Sequence, residues 1–244
     1  MKALVVIGGG EISQFSTLAI DTHIVQLTGK QAPKALFIPT ASGDSEDYFN
    51  TFKATYVDRL GCEAKALRLI TEQPSIQEME EVILSSDLIY IGGGDTLKLI
   101  TTWDHLGIYE ILLNAYEKGI VIAGISAGAT CWFQSGVRFE KYENENEPCF
   151  SQIESFGLID AFLCPHFNQQ ERAKQYLTMM NDYDGIRIGL EDNCAIEFSD
   201  SRYRVIVSHE DATAYKVIKR NGVIQKEQIF KSEEYGTIEE LLTV

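Results

Sequence analysis

Through the first 125 residues short apolar runs alternate with longer amphipathic stretches, which limits the chain to folds in which helices cover both faces of a sheet. Residues 4–7, 35–38, 64–69, 88–91 and 120–125 read as strands, several apolar at consecutive positions, as buried parallel strands are. Between them, 44–60, 75–85 and 105–118 read as helices. In the second, Ile76, Met79, Val82 and Ile83 recur at helical spacing just after Pro74 and Ser75, residues suited to a helix start. Right-handed β-α-β crossovers then give an open, mostly parallel sheet in an α/β fold.

The pattern changes after about residue 133. Residues 138–148 hold four glutamates and a proline with little apolar content and read as an exposed loop. A helix near 169–181 follows, then strands at 186–190, 195–198, 203–207, 214–218 and 223–230. Asn221-Gly222 between the last two is a strong hairpin signal, because both turn positions need positive φ. No repeat or Pro/Ser-rich linker divides the halves, so the expectation is one domain over 1–244 with an antiparallel C-terminal edge.

Composition narrows the function. Lys and Arg number 21 against 36 Asp and Glu, a net charge of −15, and a field of that sign repels nucleic acid and anionic membranes. Five cysteines without a C-x-x-C pair point to free thiols in a reducing compartment. The apolar run 3–7 is too short for a signal peptide or a membrane span, so a cytoplasmic protein is expected. Four histidines, His23, His105, His166 and His209, lack metal-ligand spacing, and no metal or other cofactor is expected.

Gly124-Ile125-Ser126-Ala127-Gly128 follows an apolar strand and precedes a segment able to continue as a helix. That is the setting of a nucleophile elbow, a strand and a helix joined by a sharp turn with serine at its tip. Glycines on either side leave room where a Cβ would collide, and the helix N-terminus favours developing negative charge. Gly92-Gly93-Gly94-Asp95-Thr96 ends the preceding strand and can face Ser126 across the carboxyl edge, its N–H groups joining that of Ala127 as oxyanion donors. His166, after the apolar segment 159–163 and before a helix, is the best placed of the histidines to serve as base. Glu191, Asp192 and Asn193 end the strand 186–190, and any of the three can orient His166.

Taken together, Gly92 to Thr96, Gly124 to Ala129, Pro165-His166-Phe167 and Ile188 to Asn193 resemble the peptidase E and cyanophycinase family of serine peptidases. The order Ser, His, acid differs from the Ser, Asp, His order of α/β-hydrolases. The resemblance implies a flavodoxin-like α/β fold with Ser126 as nucleophile, His166 as general base and then acid, and Gly93 with Ala127 as oxyanion donors. It puts the third member at Asp192, one methylene shorter than the glutamate of peptidase E, with Glu191 and Asn193 left as alternatives. It implies small peptide substrates, including dipeptides with N-terminal aspartate. Where peptidase E carries an arginine shortly after its histidine, this chain has Arg172 one helical turn later, the expected anchor for a substrate carboxylate. A homodimer is compatible with the sequence.

Two readings compete. Gly8-Gly9-Gly10 after the first strand begins like a dinucleotide fingerprint, which would make the chain a nucleotide-binding regulatory module. However, Ser13 stands where its third glycine belongs, and the acidic ribose partner about twenty residues on is missing. A pseudoenzyme that binds peptide without cutting it is the other, and the complete Ser, His and acid set argues against it.

Overall fold

The computed structural model describes residues 1–144, 147–179, 185–220 and 223–243. Five parallel strands, β1 (Ala3–Ile7), β2 (Lys34–Ile38), β3 (Glu63–Ala66), β4 (Leu88–Ile91) and β5 (Val121–Ile125), lie side by side in the order β1-β5-β4-β2-β3. The chain then crosses into a second sheet as β6 (Phe133–Asn144), β7 (Glu147–Glu154), β8 (Ile159–Pro165) and β9 (Arg187–Leu190). It returns as β10 (Cys194–Ser199), antiparallel to β1, and β11 (Arg202–Val207). β12 (Ala214–Arg220) and β13 (Val223–Ile229) go back to the second sheet, and the short β14 (Gly236–Thr237) closes the edge of the first.

Strand alternation sends side chains to two apolar layers. Ala3, Val5 and Ile7 face α1 (Leu18–Leu27) and α2 (Glu46–Tyr56). Leu4 and Val6 face the other way, into a layer shared with α3 (Ile76–Leu84), α4 (Thr96–Leu106), α5 (Ile108–Glu117) and the inner face of the second sheet, where Leu163 and Ile188 are fully buried. The outer face of that sheet packs Phe162 and Val217 against Tyr176 of α7 (Gln170–Thr178). Two short helices complete the chain, α6 (Ala127–Thr130) after β5 and α8 (Ile238–Leu242) at the end. Among the described residues no helix is long and apolar enough to cross a membrane.

The α/β class is as expected, but the second sheet was not. Residues 187–190, 214–220 and 223–229 join it, and only β10, β11 and β14 form the antiparallel edge of the first. Alternation identifies a strand without naming its neighbour, so the sequence left this open. The expected loop at 138–148 is a correction: β6 and β7 form an antiparallel hairpin paired from Ser135–Glu154 to Asn144–Glu147, with residues 145 and 146 outside the described residues. Its charges are those of a protected edge strand, with Glu140 taking hydrogen bonds from Arg138 and Ser151 at 2.6 Å each.

The expected helix 105–118 is two helices, broken at Gly107 with φ 65°. In α3 a Ser75–Glu78 capping box marks the start and Met79 and Ile83 are buried, whereas Ile76 is 65% exposed in the first turn. The strand expected over 64–69 is shorter, Glu63–Ala66. Asn221-Gly222 lies outside the described residues, and Arg220 opposes Val223 across the strands it joins.

One buried acid affects stability directly. Asp21 of α1 is fully buried and accepts hydrogen bonds from Thr17 Oγ1 and Tyr56 Oη, both at 2.8 Å. Burial raises its pKa to about 6 against those two bonds. An acid with a raised folded-state pKa favours folding when protonated, so its contribution is complete below the ordinary value of 3.8 and is lost as pH rises through about 6. Asp21→Asn should therefore gain stability over wild type between pH 4 and pH 8 by about 2 kcal/mol. Urea unfolding at the two pH values checks this, and a difference that does not change with pH would refute it.

Candidate active site

Ser126 stands between β5 and α6 as the cap of the helix, with φ 56° and ψ −110°, a conformation that L-residues rarely adopt. The turn is held by backbone: Ser126 N–H donates to Ile7 O at 2.9 Å, and Ser126 O accepts from Ala129 N–H at 3.0 Å and Thr130 N–H at 2.9 Å. A Cβ at Gly124 would overlap the Gly128 carbonyl, and one at Gly128 the Ile91 carbonyl, so β4, β5 and α6 meet here as bare backbone. Ala127 opens α6, where no carbonyl precedes its N–H at helical spacing.

His166 follows β8 and Asp192 follows β9, both at carboxyl ends of parallel strands. His166 Nε2 lies 2.8 Å from Ser126 Oγ, and His166 Nδ1 lies 2.5 Å from Asp192 Oδ1. Burial opposes the Asp192 charge, but hydrogen bonding and charge from His166, with Asn168 and Arg172, outweigh it and hold the pKa below the usual value. An ionised carboxylate only accepts, so the imidazole proton sits on Nδ1 and Nε2 is left to accept from the Ser126 hydroxyl. Asn168 grips Asp192 twice: its Nδ2 donates to Oδ2 at 3.1 Å, and its Oδ1 accepts from the Asp192 N–H at 3.0 Å. Glu191 points elsewhere, accepting from Thr213 N–H at 2.9 Å, and Asn193 N–H donates to Gly9 O at 2.8 Å. Of the three candidates, Asp192 is the one bonded to His166.

The glycine run after β1 does something the sequence did not reveal. Gly8 O accepts from His166 N–H at 3.1 Å, Gly8 N–H donates to Cys194 O at 2.9 Å, and Gly9 bridges to Asp192. A Cβ on Gly9 would overlap Asp192 Oδ1 and the His166 ring. The loop is thus the floor under the His166–Asp192 pair. The run of glycines itself is the only local cue to it, and that run also resembles the start of a dinucleotide fingerprint.

Gly93 packs beside the elbow, its Cβ position 3.4 Å from Ser126 Cβ, and its N–H donates to the Tyr48 hydroxyl at 3.2 Å. Arg172 stands on α7 with its guanidinium 4.6 Å from the centre of the Phe150 ring and its Nε without a hydrogen-bond partner. Among the described residues it has no ion-pair partner, though its charge reaches Asp192. No group of three or more His, Cys, Asp or Glu side chains among those residues is placed to hold a metal ion. The arrangement can move a proton from a serine hydroxyl to an imidazole backed by a carboxylate, next to the first N–H of α6 and a cation with no ion-pair partner among the described residues.

The model of peptidase family S51 matches residues 4–206. The chain belongs to peptidase family S51. The uncharacterized peptidase YgaJ of Bacillus subtilis strain 168 is 31% identical over 222 residues, covering 89% of this chain and 93% of that protein. A peptidase E of a Nostoc species is 22% identical, covering 75% of this chain and 76% of its own. Among solved structures, a peptidase from an acI-B1 actinobacterium covers 97% of both chains with TM-score 0.71 at 24% identity. A putative peptidase E protein from Listeria monocytogenes covers 85% of this chain and 98% of its own with TM-score 0.63 at 20% identity. Both share the fold.

In this S51 family member Gly9→Ala should fold but displace His166 and Asp192, lowering kcat for peptide hydrolysis by about 10²-fold. Unchanged kcat in a variant that melts with the wild type would show that the loop yields freely.

Proposed function

We propose that the protein is a serine peptidase that hydrolyses small peptides through an acyl-enzyme. The observation that carries this reading is the continuous relay from Ser126 Oγ through His166 to Asp192, at 2.8 and 2.5 Å. Ser126 Oγ attacks the peptide carbonyl while His166 Nε2 takes its proton, and Asp192 stabilises the imidazolium. The oxyanion is met by the Ala127 N–H at the start of α6, whereas the Gly93 N–H, the other donor expected, is bonded to the Tyr48 hydroxyl. His166 then protonates the leaving amine, and water, activated by the same imidazole, releases the acid.

For the substrate, we favour a dipeptide with N-terminal aspartate. A net charge of −15 opposes an acidic substrate, so a local cation must recognise it, and Arg172 is a cation without an ion-pair partner among the described residues. The stack on Phe150 holds its guanidinium in place. The nucleotide-binding alternative loses support because the Gly8 and Gly9 carbonyls and the Gly8 N–H are already bonded within the site. Five free thiols suit a reducing compartment, and we infer a cytoplasmic protein.

A panel of Asp-Xaa, β-Asp-Xaa and neutral dipeptides tests both levels. Ser126→Ala should lower kcat by about 10⁶-fold with the fold intact, and undiminished hydrolysis would end the serine mechanism. Arg172→Met should raise KM for Asp-Xaa by about tenfold or more while leaving neutral dipeptides nearly unaffected, as loss of one charge-assisted contact requires. Equal effects on both classes would remove Arg172 from substrate recognition.

A further inference from the structure

The relay from Ser126 to Asp192 gives no task to the Tyr48 hydroxyl, which lies at the same strand ends. Tyr48 sits in the first turn of α2, where Ser45 caps the helix by accepting from its N–H at 3.2 Å. Its ring packs edge-on against Phe37 of β2, with centroids 5.0 Å apart and planes at 75°. It also lies against Gly92, where a Cβ would come within 3.0 Å of Tyr48 Cε1. Two strand ends therefore fix the ring, and the hydroxyl is delivered to the Gly93 N–H at 3.2 Å.

That bond changes the expected role of Gly93. A peptide N–H aimed at Tyr48 Oη is not a free donor for an oxyanion beside Ser126. The hydroxyl that accepts it keeps its own proton, and among the described residues that proton has no acceptor. Burial, with the charges of Asp21 and Glu11 adding to it against the Gly93 bond, raises the Tyr48 pKa to about 12, so the group remains a neutral donor wherever a Ser–His pair works. Accepting from Gly93 also polarises the O–H and strengthens it as a donor.

We propose that the Tyr48 hydroxyl is the second oxyanion donor, acting beside the Ala127 N–H, and that the Gly93 N–H acts through it. The inference rests on Ser126 being the nucleophile. No proton leaves Tyr48: its O–H hydrogen bond to the carbonyl oxygen strengthens as negative charge builds there in the tetrahedral intermediate and weakens as the acyl-enzyme forms.

Tyr48→Phe keeps the ring packing and removes one oxygen, so it is the informative variant. Steady-state kinetics on the best dipeptide should show kcat lowered by about 10²- to 10³-fold with KM nearly unchanged. Affinity for a peptide aldehyde, which forms a tetrahedral adduct with Ser126, should fall in parallel, whereas affinity for the product should not. A Tyr48→Phe protein with wild-type kcat, or faster, overturns the proposal, the second case meaning that the hydroxyl blocks the Gly93 N–H. Because a loss of fold would also lower kcat, the unmutated protein supplies an independent measurement. The Tyr48 Cζ carbon resonance should move when the aldehyde adduct forms, and a stationary resonance overturns the proposal. Ser126→Ala separates the levels: if it stays active, the serine mechanism and this inference both fail. If it is inactive while Tyr48→Phe is not, only this inference fails.

Discussion

The contact of the bare Gly9 backbone with His166 and Asp192 is the constraint on which the rest of the site depends. Gly9 lies just beyond β1, in the middle of the first sheet, while His166 and Asp192 lie just beyond β8 and β9, neighbours in the second. Any side chain at Gly9 would occupy the space of the imidazole and the carboxylate, so His166 and Asp192 can meet over this strand end only because none is there. The same closure bonds Gly8 O to His166 N–H and Gly9 O to Asn193 N–H, fixing both loops from below. Ser126 is tied to the same strand through Ile7 O. One strand end, β1, thus sets the distances among three residues that lie far apart in the chain.

The price in backbone conformation is visible at the same place. Ser126, His166 and Asn193 all have positive φ, at 56°, 53° and 63°. For a residue other than glycine or asparagine such a conformation costs on the order of 1–3 kcal/mol and persists only where the surroundings over-determine it. Here the surroundings are backbone hydrogen bonds and tightly packed glycines at 124 and 128. The strain points Ser126 Oγ and the His166 ring at each other without help from a substrate, which is preorganisation in the physical sense.

Electrostatics refine that geometry. Asp192 keeps its charge despite partial burial because His166, Asn168 and Arg172 surround it with donors and positive charge. The ionised carboxylate in turn fixes which ring nitrogen faces Ser126. Arg172 sits near enough to contribute while having no ion-pair partner of its own among the described residues, so a local positive site exists inside a strongly acidic molecule.

Much of this could be read from residues alone. The parallel strands, the elbow at Ser126 and the order of Ser126, His166 and the 191–193 segment follow from apolar periodicity and glycine spacing, which are local properties of the chain. Three things were not legible. The 138–148 segment reads as loop because an edge hairpin and a solvated loop carry the same charges. The second sheet was hidden because alternation does not say which strands pair. The glycines after β1 have no local partner, so their purpose depends on what the fold brings above them. The sequence by itself determined the five parallel strands and the chemical groups at their ends. Only the tertiary structure decided that Asp192, rather than Glu191 or Asn193, meets His166, because that choice turns on which side chain points towards Gly9 when two sheets close.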